Sequence, residues 1–539
     1  MNDTVKTVAL IPARMSSSRL PGKHFRHIGD QSILAWVVQR LRVCAEIDEV
    51  VLACPLEPES QAFVAFAEAH GIGVFEYPGD VDDVVGRMVA AAAHFNADIC
   101  VLASGDCPLL GSASIDRLIK RMKADRDVGR IGFAKNDQGH SPIHEGVVVG
   151  RFDVWKRGEQ LSDQPFLREH QFPVFSYYAD AFADVRTETF EDAPLYYAFQ
   201  HRMSVDTPAD LRFMTSLYQG LTKIGHPFDL EHAIRYLNDH PSLRDINRQV
   251  HQKGIKEPSL KAVFIVSAVA EYGWGNLIRG AEIAKALIER HGVGVRFWVF
   301  DQVAADWLDK QGLSGQVCDF RCHPESWEQL SSELLVFDVN SRLVVSQNWV
   351  EQARLHGMKV AMIDNISEGA EHADLVVIPT AHAPDSLPSH WRRGAQYVVI
   401  REEVRRVKAL RVQKKNVVLI YGAGKLVHSV LAKYLETFST QFQTCEVQWV
   451  EHHHPDFLEQ LAAAKYLVAP LGTVVYEALY LDVHPYVVAQ DALEQEEVRR
   501  LQAYIDEGDF SQLEQGQEKI ANLLYDVLID THEDVEHAL

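Results

Sequence analysis

The stretch IPARMSSSRLPGKHF, residues 11–25, follows a short apolar run and precedes an amphipathic one at 33–43. One turn between a predicted strand and a predicted helix therefore carries Arg14, Arg19, Lys23, three serines and the Pro21-Gly22 pair. In α/β folds the loop after the first strand is the commonest ligand cradle, because it opens beyond the carboxyl ends of the sheet. Its backbone N–H groups and serine hydroxyls, Ser17 among them, can bond phosphate oxygens, while Arg14, Arg19 and Lys23 supply the charge a triphosphate needs. A solvated basic loop is the simpler alternative, and removing exposed charges would then cost little stability.

The rest of the chain is acidic. Its 539 residues hold 53 Lys and Arg against 75 Asp and Glu, a net charge of −22. Such a surface repels nucleic acid and anionic membrane, so an anionic ligand must meet a local basic site. The length exceeds one hydrophobic core and predicts two or three domains. The seven cysteines are scattered and odd in number, and Cys318 with Cys322 lacks the second pair a zinc site needs. Reduced thiols in a cytoplasmic protein follow, with no signal peptide and no apolar run near the roughly 20 residues that span a bilayer.

Strand-length apolar runs at 5–11, 49–53, 99–103, 261–266, 293–299, 334–339, 359–363, 375–378, 417–420 and 466–469 alternate with longer amphipathic stretches. That alternation predicts α/β layers with mostly parallel sheets. The polar stretch around 246–260 reads as a linker, which divides the chain into domains at 1–245, 261–405 and 406–539.

A second constellation lies further along. VLASGDCPLLGSASID (101–116) puts Asp106 just beyond a predicted buried strand, and RMSVDTPADL (202–211) puts Asp206 at a predicted strand-to-helix turn. Two carboxylates from distant segments suit a divalent cation held through oxygen, with positions open for phosphate. The plainer alternative makes Asp206 a helix N-cap and Asp106 a turn former.

These motifs carry a resemblance. PARMSSSRLPGK (12–23), GDVDDVVGRMVAAA (79–92), SGDCPLL (104–110), REH (168–170) and VDTPADL (205–211) resemble, in order, the cytidylyltransferases of acidic-sugar and spore-coat polysaccharide pathways. Ser16 stands where that family usually has glycine. The resemblance implies a Rossmann-like nucleotidyltransferase domain that transfers CMP from CTP to a nonulosonic (pseudaminic- or legionaminic-like) sugar, releasing pyrophosphate with magnesium. Arg14, Ser17, Arg19 and Lys23 would hold the triphosphate and the departing pyrophosphate, and Asp106 and Asp206 the metal. Arg87, Arg168 and His170 would reach a sugar carboxylate, with structural salt bridges as the alternative.

The second half opens with KAVFIVSAVAEYGWGNLIRGAEIAKAL (261–287), a strand, a loop with Gly273 and Gly275, and a helix. VVLIYGAGKLVHSVLAKYL repeats that design at Gly422 and Gly424, but Val427 occupies the place of a third glycine, so no dinucleotide fingerprint is complete. Two such units resemble the glycosyltransferase B architecture. GWGNLIRGAEIAKAL, VAMIDN, HADLVVIP, GAQYVVIREEV and APLGTVVYEALYLDVHP are similar to the UDP-sugar hydrolase of pseudaminic-acid synthesis. That likeness implies a UDP-sugar site with Gly275 and Arg279, Glu477 near the ribose and Gly472-Thr473 near the diphosphate. Asn276 replaces the family's proposed histidine base, which implies altered or lost hydrolysis. An active hydrolase or glycosyltransferase, a sugar-nucleotide binding or assembly module, and a homodimer all stay open. His452-His453-His454 reads as a solvated loop.

Overall fold

Thr7–Pro12 reads TVALIP, and in the computed structural model all but its proline are buried at the middle of a seven-stranded sheet. The described residues are 5–143, 146–170, 172–254, 257–268, 274–318, 330, 332–340, 343–384, 386–421, 442, 444–450, 456–489 and 492–536. Cys322, Gly273, Gly422, Gly424, Val427 and the histidine run 452–454 lie outside them. The chain divides into two units, Met1–Pro258 and Ser259–Leu539.

The first sheet runs, edge to edge, Gly73–Tyr77, Glu49–Pro55, Thr7–Pro12, Ile99–Ala103, Val147–Arg151, Val128–Phe133 and Arg186–Phe190. Pairing is parallel except at Val147–Arg151, which is antiparallel to both neighbours. From Thr7–Pro12 the chain moves outward two strands, then returns to place Ile99–Ala103 on the first strand's other side. The loops that follow these two central strands leave in opposite directions and open a crevice at their carboxyl ends. Helix Ile33–Val43 covers one side of the sheet with Leu34, Val37, Val38 and Leu41, and Ser32 caps it by accepting the Ala35 N–H.

The second unit holds two parallel sheets. One has the order Ser314–Val317, Gly294–Val299, Lys261–Val266, Leu334–Asp338, Lys359–Ile363, Leu375–Ile378 and Arg392–Arg393; the other runs Glu446–Val450, Val417–Tyr421, Tyr466–Pro470 and His484–Val488. Helix Gly516–Glu536 follows the second sheet in sequence, yet it buries Ile520, Ala521, Leu524 and Leu528 in the core of the first, beside Leu277 and Ile288. A boundary drawn by sequence position at 405/406 assigns that helix to the other sheet. Among the described residues no helix is long and apolar enough to cross a membrane.

Leu524 is fully buried and Val43 is 67% exposed. Leu524→Ala is expected to cost about 2–5 kcal/mol in denaturant unfolding, and Val43→Ala to stay within about 0.5 kcal/mol. A neutral Leu524→Ala would mean that this helix does not close the sheet's core.

Candidate active site

Gly22 takes the left-handed conformation (φ 60°), and the chain then makes one 3-10 turn, Lys23–Phe25. A residue with a Cβ is strained there, so the glycine is what turns Lys23 back over the crevice. Lys23 Nζ donates to Asp106 Oδ2 at 2.5 Å and to Asp206 Oδ1 at 2.7 Å. Asp106 comes from the loop after Ile99–Ala103, and Asp206 immediately precedes helix Pro208–Lys223. All three side chains are less than a fifth exposed.

The residues before Asp206 form no strand; the Val205 N–H instead donates to the Asp106 carbonyl at 2.9 Å, which ties the two carboxylate segments together. Nor is Asp206 the helix cap. Thr207 and Asp210 form a reciprocal capping box, leaving the Asp206 carboxylate free for the crevice. Asp206 also accepts from Arg202, and Arg19 Nη2 lies 3.6 Å from it. Burial opposes ionisation of Asp206, but Lys23, Arg19 and Arg202 outweigh it and hold the pKa below the usual carboxylate range. Burial likewise opposes the Lys23 charge, and Asp106 with Asp206 holds it above the ordinary lysine value.

His24 pins the loop. It is 3% exposed, and its Nδ1 donates to the Gly105 carbonyl at 3.1 Å. Burial, then Lys23, pushes its pKa down to about 4, so the ring is neutral at pH 7. A Cβ on Gly105 would sit 2.9 Å from the His24 ring and 3.1 Å from the Pro12 carbonyl, so only glycine allows this contact. Ser17 Oγ accepts the Leu20 N–H at 3.3 Å, shaping the turn.

Residues 8–225 match the cytidylyltransferase family. The first unit carries a cytidylyltransferase domain. It is 24% identical over 261 residues to an uncharacterised protein of Methanocaldococcus jannaschii, covering 47% of this chain and 99% of that protein. With the spore coat polysaccharide biosynthesis protein SpsF of Bacillus subtilis it shares 28% identity over 224 residues, 41% of this chain and 88% of SpsF. The match to the 3-deoxy-manno-octulosonate cytidylyltransferase of Acidobacterium capsulatum is 30% over 116 residues, 22% of this chain, and spans 46% of that enzyme.

Within this cytidylyltransferase domain the remaining residues singled out from sequence separate. Arg14 pairs with Asp82 and, at 3.4 Å, with Glu169. Arg168 is not presented to the crevice as a free cation: it grips Asp83 through two bonds of 2.8 and 2.6 Å and donates to the Glu159 carbonyl. Asp83 caps helix Val84–His94. Arg168 thus takes the salt-bridge alternative. His170 is half-buried, and burial is the main cause of its lowered pKa. Arg87 differs from all of these. It is 1% exposed, and among the described residues its Nε and Nη1 have no hydrogen-bond partner. Burial, then the nearby Arg14, pushes its pKa down to about 10, so it stays charged at pH 7. Arg202 and His24 escaped the sequence reading. Arg202 lies four residues before Asp206, a spacing that on a non-helical segment gives no signal.

The second unit gathers its polar residues differently. Gly275 opens helix Gly275–His291 and Gly472 precedes helix Thr473–Tyr480; a Cβ on Gly275 would lie 4.0 Å from the Thr473 side chain. Asn276 Nδ2 donates to Asp338 Oδ1 at 2.9 Å. Arg279 donates to Asp338 (3.1 and 2.6 Å) and to Asp364 (2.7 Å). Asp338 is wholly buried, which raises its pKa despite Arg279. Glu477, expected beside a ribose, gives both oxygens to Arg401 at 2.5 and 2.7 Å and is 2% exposed. Its position inside a buried helix makes it half of an ion pair.

Lys23→Met would leave Asp106 and Asp206 facing each other without their shared counter-ion. Breaking a buried pair from one side costs about 3–5 kcal/mol, where an exposed loop charge would cost almost nothing. The sign with pH follows from the shifts. Asp206, held low, contributes above the ordinary carboxylate pKa and loses its contribution as pH falls through its folded value; Lys23, held high, contributes below the ordinary lysine pKa and loses it as pH rises through its folded value. Denaturant unfolding is expected to show the full wild-type-to-Met gap from pH 5 to 9, narrowing toward pH 4 as the variant's repelling carboxylates take up a proton. No gap at pH 7 would return Lys23 to a solvated loop.

Proposed function

We propose that the first unit transfers CMP from CTP to a hydroxyl of an acidic sugar and releases pyrophosphate. The observation that carries this reading is the Lys23 ammonium held between Asp106 and Asp206 at the carboxyl ends of the central strands, with Arg19 and Arg202 on the same carboxylate. An ammonium in that place marks a point where two carboxylates converge on positive charge.

The donor set suits magnesium. Both ligands are hard carboxylate oxygens, and among the described residues no group of three or more His, Cys, Asp or Glu is placed to hold a metal. Magnesium is commonly bound by one or two carboxylates, with water and substrate phosphate completing the octahedron. Bound there, it would neutralise charge at the α-phosphate. Lys23 and Arg19, released from the carboxylates, then have phosphate oxygens as partners, and their role is to fix the chain of phosphates and to offset charge on the leaving pyrophosphate. Little covalent work remains for the protein; positioning supplies the rest.

Arg87 supports an acidic acceptor. A buried guanidinium with two nitrogens left without hydrogen bonds among the described residues costs free energy, and a substrate carboxylate is the kind of group that would repay it. The 3-deoxy-manno-octulosonate cytidylyltransferase and SpsF relatives point the same way, to acidic sugars and surface polysaccharide.

For the second unit we propose a UDP-sugar hydrolase-like domain of altered or lost activity. Asn276 offers no proton acceptor of useful basicity and is bonded into Asp338. General-base catalysis is typically worth about 10²- to 10⁴-fold. A panel of UDP-linked diacetamido sugars incubated with the full chain is expected to yield no UDP above background; rapid UDP release would show an active second unit with another base.

With CTP, magnesium and a panel of nonulosonic and octulosonic acids, the wild-type protein is expected to release pyrophosphate. Asp106→Asn and Asp206→Asn should each lower kcat by at least about 10²-fold. Undiminished turnover in both would remove the carboxylates from the chemistry. Arg87→Leu should leave the melting temperature unchanged or higher while raising KM for the acidic sugar about tenfold or more. A lower melting temperature with unchanged KM would make Arg87 structural.

A further inference from the structure

The stretch 246–260 reads as a linker, but its beginning is packed against the first unit. After the 3-10 helix Pro241–Ile246, Asn247 is 2% exposed and donates to Asp210 Oδ1 at 3.0 Å. The exposed Gln252 accepts from Arg202 Nη1. Both contacts brace the approach to helix Pro208–Lys223, where Asp206 lies. Asp210 is wholly buried, and its Oδ2 accepts from the Asp206 N–H at 3.1 Å, the Thr207 N–H at 3.0 Å and Arg202 Nε at 3.3 Å.

Arg202 spreads its donors over three acceptors: Nε to Asp210, Nη1 to Gln252 Oε1 and Nη2 to Asp206 Oδ2. Its side chain is 10% exposed. A guanidinium is a rigid planar fork, so two nitrogens fixed by Asp210 and Gln252 set the direction in which the third meets Asp206. The two Asp206 oxygens are thereby divided. Oδ2 takes Arg202, while Oδ1 faces Lys23 Nζ at 2.7 Å and Arg19 Nη2 at 3.6 Å. Lys23 can move to an incoming phosphate, because an ammonium on a flexible stem reaches other partners. Arg202 cannot follow without abandoning the buried Asp210 carboxylate, and breaking a buried pair from one side is strongly unfavourable. The terminal torsion of an aspartate is broad when nothing holds it; held through Oδ2, it offers Oδ1 in one direction.

We propose that Arg202 is a positioning residue of the cytidylyltransferase site: it stays on Asp206 Oδ2 throughout the reaction, braced by Asp210 and Gln252, and leaves Oδ1 to the divalent cation. Hydrogen bonds that orient a metal-ligating side chain typically matter by about 10- to 100-fold in metal affinity. The inference rests on the reading of the first unit as a CTP-dependent transferase with Asp206 as a metal ligand. It also makes the start of the supposed linker a support of that ligand.

Calorimetric titration of the full chain with CTP at a series of magnesium concentrations, without acceptor sugar, tests it. Lysine keeps the charge at 202 but cannot reach three acceptors, so Arg202→Lys is expected to raise the magnesium concentration that gives half-maximal CTP affinity by about 10- to 100-fold. At saturating magnesium its CTP affinity should return to within about threefold of wild type. Gln252→Ala, which removes only the outer brace, should move the magnesium midpoint the same way by about threefold with an unchanged melting temperature. If wild type binds no CTP at any magnesium concentration, the transferase reading fails and this inference with it. If wild type binds CTP in a magnesium-dependent way and Arg202→Lys has the same midpoint, that reading stands and this inference is overturned. An equal loss of CTP affinity at every magnesium concentration would make Arg202 a phosphate ligand instead. A lowered melting temperature in Arg202→Lys, with the midpoint unmoved in Gln252→Ala, would make it structural, and either result overturns the inference.

Discussion

A single ammonium group, Lys23 Nζ, is shared by two carboxylates that lie 83 and 183 residues further along the chain. Three segments with no local reason to meet converge on it: a 3-10 turn fixed by Gly22 and His24, a loop beyond a central strand, and the approach to a capped helix. Buried charge clusters rarely return much more than their desolvation cost. The cluster is better understood as an arrangement that can change partners. A divalent cation can take the carboxylates and phosphate oxygens can take Lys23 and Arg19, with every charge still matched. The Thr207–Asp210 capping box allows this, because it satisfies the helix terminus without using Asp206.

The two units differ in one buried arginine. In the second, Arg279 is matched by Asp338 and Asp364, Asn276 by Asp338, and Glu477 by Arg401 with two bonds. In the first, Lys23 is matched by Asp106 and Asp206, whereas the buried Arg87 Nε and Nη1 have no hydrogen-bond partner among the described residues. Unmatched charge is costly to fold and cheap to bind against. Matched charge is the reverse.

The sequence disclosed what is local. Apolar runs such as 99–103 and 261–266 are strands because both their faces are covered, so hydrophobicity alone marks them. Arg186–Phe190, RTETF, gave no such signal: it is an edge strand with a mostly exposed, polar pattern. Arg19, Lys23, Asp106 and Asp206 were legible because each sits in a loop beyond a central strand or beside a helix start. Partner choice was not. Nothing in REH says that Arg168 will grip a helix cap, nothing in YEALY says that Glu477 will face Arg401, and a polar stretch at 246–260 looks like free chain until Asn247 and Gln252 are seen bonded to Asp210 and Arg202.

The most direct test is a crystal structure of the full chain with CTP and magnesium bound. The account predicts a magnesium ion between Asp106 and Asp206, Lys23 Nζ moved from both carboxylates to phosphate oxygens, and Arg19 released from Asp206. CTP bound with Lys23 still clamped between the two carboxylates, or a metal held by other residues, would contradict it.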